Sequence, residues 1–189
     1  GILRKASPSY RASSTNYGSS FPHRRFNKGC TEALYYLRRR SALFEAGRAL
    51  ADFCEKFGMP FGETQAGKGC IPWDHPCNLS GIGVTGSLAA NRLAKEADLI
   101  IGAGTRFGDF TTCSKWLFQN PSAKFVSINV SPFDAYKMNA EPIIADAKLT
   151  LQAVGRKLGT AAYRAQWGEA IATAREDWNR EVDALYNQE

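Results

Sequence analysis

Asp98-Leu-Ile-Ile-Gly-Ala-Gly104 sets the fold class. It is apolar without the alternation of a half-exposed strand, so it reads as a strand buried on both faces, closed by a glycine turn. Lys124-Phe-Val-Ser-Ile-Asn-Val130, the shorter Pro142-Ile-Ile-Ala145 and a strand over residues 59–63 repeat the pattern. Amphipathic stretches separate them. Ala46 to Phe57 places Leu50, Phe53, Cys54 and Phe57 on one face and stops at Gly58. Ser87 to Ala97 reads as a helix with Leu88, Leu93 and Ala97 inward and Thr85 as its cap, and Asp146 opens another to Leu158. Strands alternating with helices, each strand apolar on both sides, imply right-handed βαβ units: an α/β fold with a parallel sheet flanked by helices. Beyond Gly159-Thr160, which should restart a helix, Tyr163, Trp167, Ile171, Ala174, Trp178, Val182 and Leu185 recur every three or four residues. That stripe is too apolar to face water. There is no internal repeat.

Three segments follow: residues 1–43, atypical and basic; 44–158, the α/β unit; and 159–189, a C-terminal amphipathic helix leading toward a further domain. The first alternates Ser, Tyr, Arg and Asn without an apolar period, as disordered sequence does. The charge is equally uneven. Residues 1–48 hold ten Lys/Arg against Glu32 and Glu45, a balance of +8, whereas the other 141 residues hold 14 Lys/Arg against 16 acids, a balance of −2. A basic tail attracts nucleic acid electrostatically, but no recognition motif accompanies it, so no nucleic-acid partner is expected. The first residues suit either a transit peptide or a disordered tail, and they lack the apolar core of a secretory signal. No run of about 18 apolar residues exists to span a membrane. Five cysteines at irregular spacing suit reduced thiols and a cytoplasmic location.

Candidate chemistry gathers in two glycine-rich stretches. Gly81-Ile-Gly83-Val-Thr-Gly86 has the dinucleotide fingerprint spacing and precedes a helix. The fingerprint also needs a strand immediately before it and an acid about 20 residues later. His75 to Ser80 does not read as a strand, Asp98 comes too early, and Asp109 lies in a loop. The glycines then let backbone approach another surface closely. Gly102-Ala-Gly104-Thr105-Arg106 ends a strand, where ligands of open parallel sheets bind, and continues as Phe107-Gly-Asp109-Phe-Thr-Thr112. Arg106 and Asp109 either face a ligand or form a structural pair within the turn. Cys70, Asp74, His75 and Cys77 invite a zinc reading but lack the paired spacing of structural zinc sites. With His23 in the tail, His75 leaves no nucleophile–base arrangement to argue. The connection from Glu63 to Gly86, roughly twenty residues without evident regular structure, is long for a spacer and suggests function.

Glu63–Gly69 (ETQAGKG), Pro72–Pro76 (PWDHP), Gly81–Gly86 (GIGVTG), Gly102–Thr112 (GAGTRFGDFTT) and Ile128–Lys137 (INVSPFDAYK) together resemble the central domain of thiamine-diphosphate-dependent enzymes. Within them they are similar to the hydrolase branch that opens 3D-(3,5/4)-trihydroxycyclohexane-1,2-dione in myo-inositol catabolism. The resemblance covers about residues 45–158. It implies a six-stranded Rossmann-like parallel sheet that carries FAD or another adenine nucleotide in flavin-bearing relatives, with no flavin in this branch. It also implies ring opening by C–C hydrolysis, with thiamine diphosphate supplying an electron sink and Mg²⁺ holding the diphosphate. The activating glutamate and the metal-binding segment of such enzymes lie on flanking domains without counterpart in this sequence. No catalytic or metal-binding residue and no cofactor held alone is therefore expected, and the chain should be inactive by itself. Gly81, Gly83, Gly86, Gly104, Thr105, Arg106 and Asp109 would face the cofactor or neighbouring domains, and the full-length enzyme would be a homo-oligomer acting on a small cyclic dione. The runner-up reading is a stand-alone FAD- or ADP-binding module.

The resemblance breaks before Glu45, where a strand ending in three glycines would stand. Ala33-Leu-Tyr-Tyr-Leu-Arg-Arg-Arg40 stands there instead. Codons can be chosen for these residues that, read one base later, encode Pro-Ser-Ile-Ile-Cys-Gly-Gly. Residues 1 to about 43 would then come from a shifted reading frame, and the sheet would lack its first strand. The coding DNA tests this: another frame upstream of Glu45 should encode an apolar strand followed by glycines, and its absence refutes the idea.

Overall fold

A computed structural model of the chain describes residues 33–37 and 44–187. In chain order the elements are β1 (Ala33–Leu37), α1 (Phe44–Phe57), β2 (Phe61–Glu63), β3 (Asn78–Gly81), α2 (Leu88–Glu96), β4 (Leu99–Ala103), the short α3 (Asp109–Thr112), β5 (Lys124–Asn129) and the short α4 (Pro132–Ala135). A single 3₁₀ turn at Lys137–Asn139 then leads to β6 (Glu141–Ile144), α5 (Ala147–Thr160) and α6 (Ala170–Tyr186). All strand pairs are parallel, in the order β3-β2-β1-β4-β5-β6. The order reverses between β1 and β4, which is where open α/β sheets form their ligand crevice. Right-handed crossovers put α1 and α2 on opposite faces, because β1-α1-β2 steps one way along the sheet and β3-α2-β4 steps back. Accordingly α1 packs with α5, and α2 packs with α6.

Apolar residues dominate the middle of the sheet. All five residues of β4 are buried, and Leu99 and Ile100 are among the largest fully enclosed side chains. Leu50, Phe53, Cys54 and Phe57 form the buried face of α1, as their spacing requires. Gly155 of α5 brings that helix against Phe53 and Phe57, since a Cβ there would lie 3.4 Å from the Phe53 ring. Asp146 caps α5 by accepting from the Leu149 N–H at 2.9 Å.

Several expectations need correction. The sheet does not lack its first strand: Ala33–Leu37 lies between β2 and β4, in register from Ala33 opposite Leu99 to Leu37 opposite Ala103. The remainder of the basic segment, 1–32 and 38–43, lies outside the described residues. Asn78–Gly81 is a strand after all, short and at the sheet edge, so a strand does precede the Gly81–Gly86 turn. Ser87, not Thr85, caps α2, its Oγ accepting from the Ala90 N–H at 3.0 Å. No new helix begins at Gly159-Thr160; α5 runs through them, and α6 starts at Ala170. Trp167 and Ala174 of the apolar stripe are buried, whereas Leu185 is exposed.

Candidate functional site

The two glycine-rich stretches meet. The turn after β3 presses against the start of α3, and Gly83 makes this possible at φ +101°. A Cβ on Gly83 would lie 2.5 Å from the Phe110 carbonyl oxygen and 2.8 Å from the Thr111 Cα. The Val84 N–H donates to that same Phe110 carbonyl at 2.9 Å. Asn91 of α2 clamps Gly83 from the other side: its Oδ1 accepts from the Gly83 N–H at 3.0 Å, and its Nδ2 donates to the Gly83 carbonyl at 2.9 Å. The Gly86 N–H donates to the Gly83 carbonyl at 2.9 Å, and the Ser87 N–H to the Gly81 carbonyl at 2.8 Å. Gly86 has no room for a side chain, because a Cβ would meet the Ile82 Cα at 2.6 Å. The N–H groups of Gly83, Val84, Gly86 and Ser87 are thus all donated within the protein. A phosphate cradle needs such groups pointing outward.

The second stretch flanks the crevice between β1 and β4. Gly104 turns at φ +66°, its N–H donating to the Ile128 carbonyl at 2.8 Å. Thr105 is 1% exposed; its Oγ1 accepts from the Phe107 N–H at 3.3 Å, and its carbonyl accepts from Asn129 Nδ2 at 3.0 Å. The Phe107 ring lies over Gly102, where a Cβ would come within 2.5 Å of it. Arg106 does not pair with Asp109. Its Nε lies 3.8 Å from Asp134 Oδ2 on α4, and Asp134 also receives Lys137 Nζ at 2.9 Å. Asp109 sits exposed in the first turn of α3. Val84, Leu88 and Phe110 form an exposed apolar ridge where the two stretches touch, and Val130, Phe133 and Tyr136 expose apolar surface after β5.

Sequence reasoning passed over one group. Glu63 ends β2 and is 5% exposed. Its carboxyl accepts from the backbone N–H groups of Ile71, Gly69 and Cys70 and from the Asn78 side chain, while its Oε1 has no hydrogen-bond partner. Burial pushes this carboxyl above the usual glutamate range, and the four hydrogen bonds pull it only partly back. The signal was an acid closing an apolar strand just before a Gly-Lys-Gly loop.

Residues 39–154 match the family described as thiamine pyrophosphate enzyme, central domain. The chain belongs to this family. It is 51% identical over 145 residues to a 3D-(3,5/4)-trihydroxycyclohexane-1,2-dione hydrolase of Clostridium tetani, covering 77% of this chain and 22% of the relative. It is 55% identical over 143 residues to hydrolase 2 of that name from Bacillus cereus, covering 76% and 22%. A Geobacillus thermodenitrificans hydrolase of the same name is 55% identical over 141 residues, covering 75% and 21%. The chain therefore spans about a fifth of the length of these curated relatives.

Thiamine enzymes bind a diphosphate, and the described residues of this central domain do not fit one. The amides of Ile82, Gly83, Val84, Gly86 and Ser87 are already donated, and the Glu63 carboxyl is enclosed by its own loop. Among the described residues no three His, Cys, Asp or Glu side chains come together to hold a metal ion.

Gly83→Ala should cost roughly 2–4 kcal/mol, from positive φ and the approach to Phe110. Gly108→Ala, with open space around it, should cost no more than about 1 kcal/mol. Urea unfolding of both variants checks this, and equal losses would refute the close-approach argument.

The raised Glu63 carboxyl binds its proton more tightly in the folded chain. Its contribution to stability is complete below the unfolded glutamate value of about 4.3 and is lost as pH rises through the higher folded value. Unfolding free energies measured across that interval should fall more steeply with pH in the wild type than in Glu63→Gln. Parallel curves would remove Glu63 as the cause.

Proposed function

We propose that this chain is the central domain of a thiamine-diphosphate-dependent hydrolase that opens 3D-(3,5/4)-trihydroxycyclohexane-1,2-dione by C–C cleavage in myo-inositol catabolism. The observation that carries the proposal is identity of 51–55% to hydrolases of that name over 141–145 residues of the chain. In this reading thiamine diphosphate and Mg²⁺ are held by further polypeptide of the full-length enzyme, a cytoplasmic homo-oligomer, and this chain is inactive alone. No helix among the described residues is long and apolar enough to cross a membrane. The apolar ridge of Val84, Leu88 and Phe110 suits coverage by that further polypeptide. In this reading Gly104, Thr105, Arg106 and Asp109 belong to the edge that faces the cofactor-bearing domains, with Thr105 buried beneath it and Arg106 paired with Asp134. Gly81, Gly83 and Gly86 serve the same edge by shape: Gly83 through its close approach to α3, Gly86 by folding the turn onto Ile82, and Gly81 beside the Lys68 side chain.

The second reading is a nucleotide-binding module. It is favoured by β3 directly preceding Gly81–Gly86 and by the 3-2-1-4-5-6 strand order. The donated turn amides weigh against it, as does the absence of an acid at the C-terminal end of β4, where Ala103 and Gly104 stand.

Residues 45–158 placed in the Bacillus cereus hydrolase in exchange for its matching stretch should keep ring-opening activity within about tenfold, a cost of about 1.4 kcal/mol. Loss of activity in a chimera that folds would overturn the hydrolase reading. Equilibrium titration of the isolated chain with FAD, ADP and NAD separates the two readings, since tight binding of any of them favours the module.

A further inference from the structure

The loop from Pro72 to Cys77 is tied down from several directions. The His75 N–H donates to the Pro72 carbonyl at 3.2 Å, and the Asn78 N–H to the His75 carbonyl at 2.9 Å. Asn78 Nδ2 also donates to the Pro72 carbonyl, at 3.2 Å. From α6, the Arg175 guanidinium donates to the carbonyls of Pro76 at 3.0 Å and Asp74 at 3.4 Å. At the centre is the imidazole of His75, its side chain 12% exposed, packed 5.6 Å from the Phe61 ring. Its Nδ1 accepts from the Cys77 N–H at 3.2 Å.

That bond fixes the state of the ring. A nitrogen that accepts carries no proton, so the proton of the neutral imidazole sits on Nε2. Nε2 is buried without a hydrogen-bond partner, and Glu55 Oε2 of α1 faces it at 4.0 Å. The Cys77 carbonyl accepts from the Phe61 N–H at 2.9 Å, which seats the entry to β3 on β2. The strand β3 in turn carries the Gly81–Gly86 turn. One titratable ring therefore holds the base of the candidate site.

We propose that His75 is a proton-sensitive latch: neutral, it locks the Pro72–Cys77 loop and the base of β3, and protonated, it releases them. The added proton must go on Nδ1, which turns the acceptor facing the Cys77 N–H into a second donor. Two N–H groups then oppose each other in a part-buried setting. The surrounding charges set the balance. Arg175 from α6 adds positive charge beside the loop, and Arg164 from the α5–α6 connection acts on the adjacent Cys77. Asp74 lies next in sequence, and Glu55 is the carboxylate facing Nε2. Burial keeps the nearby Cys77 and Cys54 thiols protonated, so they add no charge. A ring freed from the loop takes the proton without opposing the Cys77 N–H, so acid favours the open form. Trp73 at the tip, 85% exposed, moves with it.

The test is amide hydrogen exchange at Phe61 and Cys77 in the full chain at about pH 7.5 and about pH 5.5, the interval over which histidines change charge, corrected for intrinsic exchange. Wild type should lose protection about tenfold at the lower pH, the effect of one opposed hydrogen bond. His75→Asn, whose Oδ1 accepts but does not titrate, should stay equally protected at both. Glu55→Gln should deepen the loss, because the protonated ring in the closed loop loses its facing carboxylate. A pH-independent wild type, or a response in His75→Asn equal to the wild type, overturns the latch. If His75→Asn does not fold, Glu55→Gln decides, and a loss no deeper than in wild type rejects it.

Discussion

The backbone of Gly83 and the carbonyl of Phe110 occupy space that no side chain can share. The room for a Cβ at residue 83 ends 2.5 Å from that oxygen, and the Val84 N–H donates to it. Two connections from different parts of the sequence are thereby held as one surface along the sheet edge. Asn91 makes the contact durable by engaging both the N–H and the carbonyl of Gly83, which leaves neither orphaned beside α2. A buried donor and acceptor without partners would each cost about 1–3 kcal/mol, so the clamp matters more for what it satisfies than for what it adds.

The connection from β2 to β3 shows the same economy. It has no helix to supply regular hydrogen bonds, so side chains take over. Glu63 gathers three successive N–H groups of residues 69–71, and Asn78 reaches both Glu63 and the Pro72 carbonyl. His75 and Arg175 hold the next turn. Each bond is worth about 0.5–1.5 kcal/mol net, but together they leave few conformations to a segment of considerable length. The price is a buried carboxyl, and through Glu63 the loop answers to pH.

The parts of the fold legible in the sequence were those where one pattern dominates. The apolar runs of β4 and β5 and the helical spacing of α1 leave little choice, and Asp146 before an apolar period marks the start of α5. Asn78-Leu-Ser-Gly81 was not legible, since at a sheet edge two polar residues suffice and Asn78 is buried by its loop partners rather than by apolarity. The Arg106–Asp134 pairing escaped for another reason. Asp109 is three residues away in sequence, but α4 delivers Asp134 only once β5 is placed beside β4. Ala33–Leu37 is the sharpest case. Its surroundings read as a foreign segment, yet it takes the central place between β2 and β4, because backbone hydrogen bonds accept any sequence that can extend.

That central place also sets where a diphosphate would have to bind. In a sheet of this order the crevice opens between β1 and β4, and a diphosphate there would need outward N–H groups at a glycine turn. The turn with the most suitable spacing belongs to the edge strand β3, and its amides face inward to Asn91, Phe110 and the turn itself. Glycines at residues 81, 83 and 86 thus keep the spacing of a phosphate loop while doing the work of close packing. Packing at Gly83 joins the two loops, and Val84, Leu88 and Phe110 stay exposed beside that junction.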